Sequence, residues 1–461
     1  MRFIAALLVV ALTALGALFV IAGRGAPPRI TIDKPERAVG QEGTLEATVE
    51  SPNASLTALT INVEQNGRST PLFTLGGQSA TVARTDANHL RISRPFGKQS
   101  VPELQTGSAR IVVSATRQSF LKLRILSTVA SKDVQVRLEP PRLAVTSTHH
   151  YVNHGGSEMV VYRVTPDDVQ SGVRVGDLAY PGFPLSGTVS GAEPALRVAF
   201  FGLLYDQPLH ANVVAFAQDD AGNQTRSGFV DNVFEKPFKR SRIELDDRFL
   251  NRIVPEILQQ SPELKMSPPV EGDMLPAFLK INGELRRINN GQIAALASKT
   301  SPKQLWRGPF VQLGNSKVEA SFADHRTYVY KRKEVDRQDH LGFDLAVTSR
   351  IPVLAANDGV VLHASWLGIY GNCVIIDHGL GVQSLYGHLS SFDVKVGDAV
   401  SKGKPIGRSG MTGLAAGDHV HFTMLLNGRP VNPVEWWDSH WMQDRVERKL
   451  REATSPTAPS H

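Results

Sequence analysis

Twenty consecutive residues, Phe3 to Ala22, carry no charge and no strongly polar group. A helix needs about 20 apolar residues to cross a hydrocarbon core, whereas the apolar part of a cleaved signal usually runs to roughly 7–15. Residues 1–25 are therefore expected to form an uncleaved, single-pass transmembrane anchor in a cell inner membrane. No later segment approaches this hydrophobicity, so the bulk of the chain is expected in the periplasm or cell-wall space.

The 461 residues exceed one ordinary core and suggest two to four domains. A formal charge of +6 is small at this length. With no dense Lys/Arg stripe interleaved with aromatics, nucleic acid is not an expected partner. The one cysteine, Cys373, excludes an internal disulfide and any Cys-rich metal module. It lies in the apolar run Cys373-Val374-Ile375-Ile376 and reads as a buried small hydrophobe.

Residues 26–138 read as short alternating strands: Ile30-Thr31-Ile32, Thr44 to Val49 and Leu59 to Glu64 all show a period of two. Pro27-Pro28-Arg29-Ile30-Thr31-Ile32 is echoed by Pro140-Pro141-Arg142-Leu143-Ala144-Val145. Paired prolines opening a strand at that spacing predict two Ig-like β-sandwich domains, over 26–138 and 139–234. Residues 235–300 change to helical spacing. Asp246-Asp247 can cap a segment bearing Phe249, Leu250, Ile253 and Ile257, and Asp273 can cap a second with Leu275, Phe278 and Leu285. These stripes read as packing faces that dock this region on the domain C-terminal to it. Strands return over 301–440, and 441–461 is a tail with a short charged helix and a Pro/Ser-rich end. The fold class is thus mainly β, with an N-terminal membrane helix and a small helical segment.

Most of the chemistry lies in the fifth segment, where seven of fourteen histidines fall between His325 and His421. Four stretches stand out: Asp339-His340-Leu341-Gly342-Phe343-Asp344, Leu385-Tyr386-Gly387-His388-Leu389-Ser390, Gly410-Met411-Thr412-Gly413 and Asp418-His419-Val420-His421-Phe422. His340 and Asp344, four apart, share a face on either a strand or a helix. His419 and His421, two apart in a strand-like run, do likewise. Two imidazoles and one carboxylate, with the fourth position left open, are the donor set of a catalytic zinc site.

HxxxD, then YGHLS, then HxH on a Gly-rich loop and strand resemble the lysostaphin/LytM-type zinc endopeptidases of peptidoglycan, over about Gly308 to Trp436. The resemblance implies that His340, Asp344 and His421 ligate one Zn2+ per chain and that His388 and His419 are the two non-ligand catalytic histidines. It also implies a β-rich domain whose groove takes an extended peptide of the cell wall, and D-amino-acid cross-links as the substrate. The family's usual Gly-Pro-His or Ala-Pro-His is Gly417-Asp418-His419 here, a departure expected to tune the loop.

His149, His150, His154, His325 and His363 read as structural. His378 is a lesser candidate to line the groove, and Tyr386 is one to orient substrate. The absence of HExxH means that no Glu is placed as base, so a histidine must take the proton from water. No GxSxG elbow is present. Lys395 to Gly403 looks like a carrier-domain turn, but no lysine sits at its tip. The alternative reading is a catalytically silent protein of the same fold that binds or activates another wall hydrolase, and a regulatory partner is possible under either. The upstream domains are further expected to cover the groove until a partner releases them.

Overall fold

The computed structural model describes residues 2–23, 26–51, 56–77, 81–84, 89–118, 124–266, 269 and 273–454. The Pro/Ser-rich end lies outside them. The chain divides into two compact units, Met1–Pro141 with Gln218–Gln224, and Arg142–Ala217 with Thr225–His461.

In the first unit Arg2–Gly23 is an α-helix whose side chains from Leu7 to Val20 are exposed. Among the described residues, which leave out several side chains at both ends of this helix, none forms a helix long and apolar enough to cross a membrane. The rest of the unit is two sheets. One runs Arg29–Lys34, Thr44–Glu50, His89–Pro95, Thr81–Arg84; the other runs Ala38–Val39, Ile125–Val136, Gly107–Gln118, Leu56–Gln65, Arg68–Thr74. Alternation fixes which face is inside: Gly107–Gln118 buries Ala109, Ile111, Val113 and Ala115, and Thr44–Glu50 buries Leu45, Ala47 and Val49. They join Leu59, Ile61 and Ile92 in one core, where each large aliphatic side chain stabilises by about 1.5–3 kcal/mol. Asn66-Gly67, both at positive φ, close the Leu56–Gln65/Arg68–Thr74 hairpin with the twist such turns need.

The second unit is organised around one large sheet. Its strands run in the order Lys317–Ala320, Phe343–Ala346, His419–Leu426, Val382–Leu389, Asn372–Gly379, Gly359–Trp366, Ala399–Val400, with Arg429–Val431 added on His419–Leu426. The three central strands are buried almost continuously, so no alternation of exposure is visible. The alternation is instead between two cores. Val374, Ile376, Tyr386, Phe422, Met424 and Leu426 face one way, into a core shared with Met159, Val161, Val198 and Phe200 of the 142–217 strands. Cys373, Ile375, Leu385 and Leu425 face the other way, into a core shared with Leu250, Ile253, Ile257, Phe278, Ile281 and Leu285 of the helical segment. A sheet covered on both faces reads as hydrophobic runs, which is how these strands read in sequence.

Each cover is tied down by polar contacts as well. On the β side, Trp436 packs on Phe200 (5.8 Å between ring centres) and donates from Nε1 to Ser157 Oγ at 3.0 Å. The last helix reaches the same strand, where Lys449 Nζ meets Glu158 Oε1 at 2.7 Å, both side chains fully buried. On the helical side Asp246 caps the Asp247–Gln260 helix by accepting from Phe249 N, as expected, and Arg252 donates to Ala415 O at 2.7 Å. The second predicted helix is two helices, Leu275–Lys280 and Arg286–Leu296, joined by a wide turn. It starts at Met274 without a side-chain cap, so Asp273 does not serve. Residues 235–300 also contain a strand, Arg240–Leu245, paired in parallel with Asp324–Tyr330.

Candidate metal centre and its surroundings

Asp344 lies opposite His421 in the pairing of Phe343–Ala346 with His419–Leu426, so both project from the helix-facing side of the sheet. His419, Thr423 and Leu425 share that side. His340 ends the preceding strand, Lys333–His340, which belongs to a different sheet. The four-residue spacing of His340 and Asp344 is therefore a strand, a turn and a new strand, not one shared face. The turn is tight: a β-carbon on Gly342 would stand 2.6 Å from His421 Nε2 and from Thr423 Oγ1.

The three residues converge. His340 Nε2 is 2.9 Å from Asp344 Oδ1 and 3.0 Å from His421 Nδ1, and His421 Nδ1 is 3.0 Å from the same Oδ1. Each ring is oriented by its other nitrogen. His340 Nδ1 bonds to Ser321 O at 3.1 Å. Thr423 Oγ1 donates to Leu341 O at 2.9 Å and so accepts from His421 Nε2 at 3.0 Å, which leaves Nδ1 as the donor atom. Arg326 donates from Nη2 to Asp344 Oδ2 at 2.9 Å, turning Oδ1 toward the imidazoles. Two imidazole nitrogens and one carboxylate oxygen, each freed by a fixed partner behind it, fit a zinc ion.

His388 and His419 stand beside this group with ring centres 4.7 Å apart. His388 Nδ1 donates to Thr412 O at 2.8 Å and His419 Nδ1 donates to Gly417 O at 2.9 Å, so both turn Nε2 the other way. His388 reaches the site by a break in the strand. Pairing of Asn372–Gly379 with Val382–Leu389 shifts register between Asn372 and Val374, and His388 takes a left-handed backbone at φ 62°. A side chain with a β-carbon is uncommon there.

The electrostatics separate the pair. Burial and the neighbouring His419 and His421 hold the His388 imidazole well below its ordinary value. Burial opposes charge on His419 as well, but the adjacent Asp344 carboxylate outweighs it and leaves this ring raised. Burial also disfavours an ionised Asp344, yet the adjacent His340, His419 and His421 hold it well below the usual carboxylate range. His421 is pushed down to about 4 by burial.

All five predicted site residues are thus brought together, and they line one cavity of about 270 Å³. The same cavity is lined by Ile243, Phe249 and Arg286 from the segment before the metal-bearing strands, and by Glu319, Arg326 and Tyr370. Other candidates lie elsewhere. Tyr386 is on the opposite side of the sheet, where its hydroxyl accepts from Ala356 N and Ser384 Oγ and its ring packs on Phe422, so it cannot orient a substrate at this site. His378 is fully buried between Asp358 O and Ser384 Oγ, a structural role. Cys373 is buried, as expected. Sequence reasoning missed Arg326, Thr423 and Arg286, because a lone Arg or Thr carries no motif.

Residues 338–433 match the model of Peptidase family M23. Over 95 residues the chain is 45% identical to the DD-carboxypeptidase/endopeptidase Mpg of Neisseria meningitidis serogroup B, a match covering 21% of this chain and 22% of that protein. Over 164 residues it is 42% identical to the peptidoglycan DD-endopeptidase ShyA of Vibrio cholerae serotype O1, covering 36% and 35%. The murein hydrolase activator EnvC of Escherichia coli is 37% identical over 95 residues, covering 21% and 23%. The chain therefore spans about a fifth to a third of the length of the curated relatives it matches. The motif resemblance is borne out: this chain carries a peptidase family M23 domain, and all five converging residues lie inside it.

Proposed function

We propose that this protein is a zinc-dependent endopeptidase that hydrolyses peptide cross-links of bacterial peptidoglycan, with bonds between D-amino acids as its target. The observation that carries the reading is the convergence of His340, Asp344 and His421 donor atoms to about 3 Å beside two further histidines with fixed orientation. His340, Asp344 and His421 would hold the zinc ion. When bound, zinc supplies Lewis acidity, polarising a carbonyl and bringing the pKa of water to roughly 7.

The rest is done by the chain. His388, neutral and with Nε2 free, accepts the proton of the attacking water. His419, with Nδ1 tied to Gly417 O, presents Nε2 beside Asp344 and donates a hydrogen bond from it to the oxygen that gains charge. Arg326 and Thr423 fix the carboxylate and one imidazole, so little rearrangement accompanies the reaction. Hydrolysis of purified peptidoglycan, followed by mass spectrometry of the fragments with and without a chelator, tests the reading; no chelator-sensitive cleavage would remove it.

The second reading, a silent regulator that binds or activates another wall hydrolase, draws support from the identity with EnvC. Retention of all five polar residues favours the enzyme. A single-pass anchor in the inner membrane, with the bulk of the chain in the periplasm, is part of this proposal and rests on the uncharged run Phe3 to Ala22 alone; a regulatory protein partner is proposed from the similarity to EnvC. Labelling of an exported reporter fused at the C-terminus tests that placement.

A further inference from the structure

Two guanidinium groups line the metal cavity, and they differ in what they are committed to. Arg326 is spent on the chain itself, bonded to Asp344 at 2.9 Å and 3.6 Å from Asp324. Arg286 is not. It opens the Arg286–Leu296 helix, on the segment that covers the metal-bearing side of the sheet. Among the described residues its hydrogen bonds go only to Asn282, from Nε to the carbonyl oxygen at 3.0 Å and from Nη2 to Oδ1 at 2.6 Å. No carboxylate of the described residues pairs with it. Asn282 is in turn fully buried and donates from Nδ2 to Asp336 Oδ2 at 2.7 Å. One edge of the guanidinium is therefore held in place, while Nη1 makes no hydrogen bond among the described residues, and Arg286 lines the cavity.

The helix that carries Arg286 is fixed against the walls of the same cavity. Asn289 Oδ1 accepts from Ile369 N at 3.0 Å, and a β-carbon on Gly368 would meet that same Asn289 side chain at 2.2 Å. Tyr370, next in the chain, has its ring 5.4 Å from the His421 ring. A fixed cation thus shares a small, half-enclosed space with the reacting centre. Glu319, of the opposite sign, lines the same cavity, as does His419. An anionic group of a bound peptide is drawn toward Arg286 and away from Glu319.

We propose that Arg286 is a specificity-determining residue that binds a carboxylate of the peptide substrate close to the scissile bond. The inference rests on the hydrolase reading and adds the substrate class: peptides with a free carboxylate, on a side chain or at the C-terminus. A planar guanidinium with one edge immobilised recognises carboxylate by geometry as well as charge.

The test uses the zinc-loaded full chain and a peptide whose scissile amide is replaced by a methylene-amine, so that binding is read without turnover. Three forms are compared by calorimetry: both carboxylates free, side chain amidated, and C-terminus amidated. The intact protein is expected to bind the free form about 10–100-fold more tightly than one amide, and which amide weakens binding identifies the carboxylate. Arg286→Met is expected to bind that pair equally, and Arg286→Lys to keep part of the preference. Should Met lower the melting temperature, Arg286→Gln is read in the same way. No preference in the intact protein, or an unchanged preference in the Met and Gln variants, overturns the proposal. Loss of the hydrolase reading shows separately, as failure of the intact protein to cleave purified peptidoglycan.

Discussion

Thr423→Val keeps the side chain's shape and deletes only its hydroxyl, which makes it a direct probe of how the metal centre is set. The hydroxyl does two things: it accepts from His421 Nε2 at 3.0 Å and donates to Leu341 O at 2.9 Å. Without it, a buried N–H and a carbonyl lose their partner, at about 1–3 kcal/mol for a buried polar group left unmade. The imidazole can avoid that loss only by moving its proton to Nδ1, the atom that faces His340 and Asp344, and so ceasing to be a ligand. Either outcome weakens the ion's hold. Loss of a partner behind a ligand typically costs 10–100-fold in metal affinity, or about 1.4–2.7 kcal/mol, in line with the first figure. Zinc affinity measured by competition with a chromophoric chelator should fall by that factor in Thr423→Val, while Thr423→Ser stays near the intact protein. A Val variant within twofold of the intact protein would show that Thr423 does not hold the His421 tautomer.

Three further outcomes are expected. His388→Ala should keep its zinc and lose about 10²–10⁴-fold in turnover, whereas His421→Ala should lose zinc as well; equal zinc loss by metal analysis would undo the division of roles. Lys449→Met leaves the buried Glu158 carboxylate with only Arg445, at 3.8 Å, as a cation, and should destabilise by about 3–5 kcal/mol in urea melts. Glu435, buried between Asn153 and the Ser157 amide, is raised by burial to about 7. A raised carboxyl stabilises the fold fully below its unfolded value of 4.5 and loses that contribution as pH rises through 7, roughly 3 kcal/mol in all. Urea melts at several pH values should show that slope in the intact protein and a flatter one in Glu435→Gln.

The five polar site residues were legible because each belongs to a short motif in which residue type and order are both unusual. Their partners were not. Arg326 meets Asp344 across strands and Thr423 meets His421 along one, and neither contact leaves a trace in spacing. The placement of Tyr386 failed for a physical reason. Its two-residue distance from His388 implies a common face only on a regular strand, and the register shift with a left-handed His388 breaks that regularity. The alternating strands of residues 26–138 read correctly since one face of each is solvated. The central strands after Asn372 hid their two faces because both are covered. Arg240–Leu245 was absorbed into the helical segment, since its partner strand lies some eighty residues further on and parallel pairing has no local signature.

The left-handed backbone at His388 also bears on the history such a chain can have. Apart from glycine, only a few short polar residues, asparagine foremost, occupy that region readily. A lineage that gave up hydrolysis would not be free to drift to any residue here, because a branched or bulky replacement would disturb the bulge as well as the chemistry. Glycine and asparagine are the replacements that this backbone would accept with least strain.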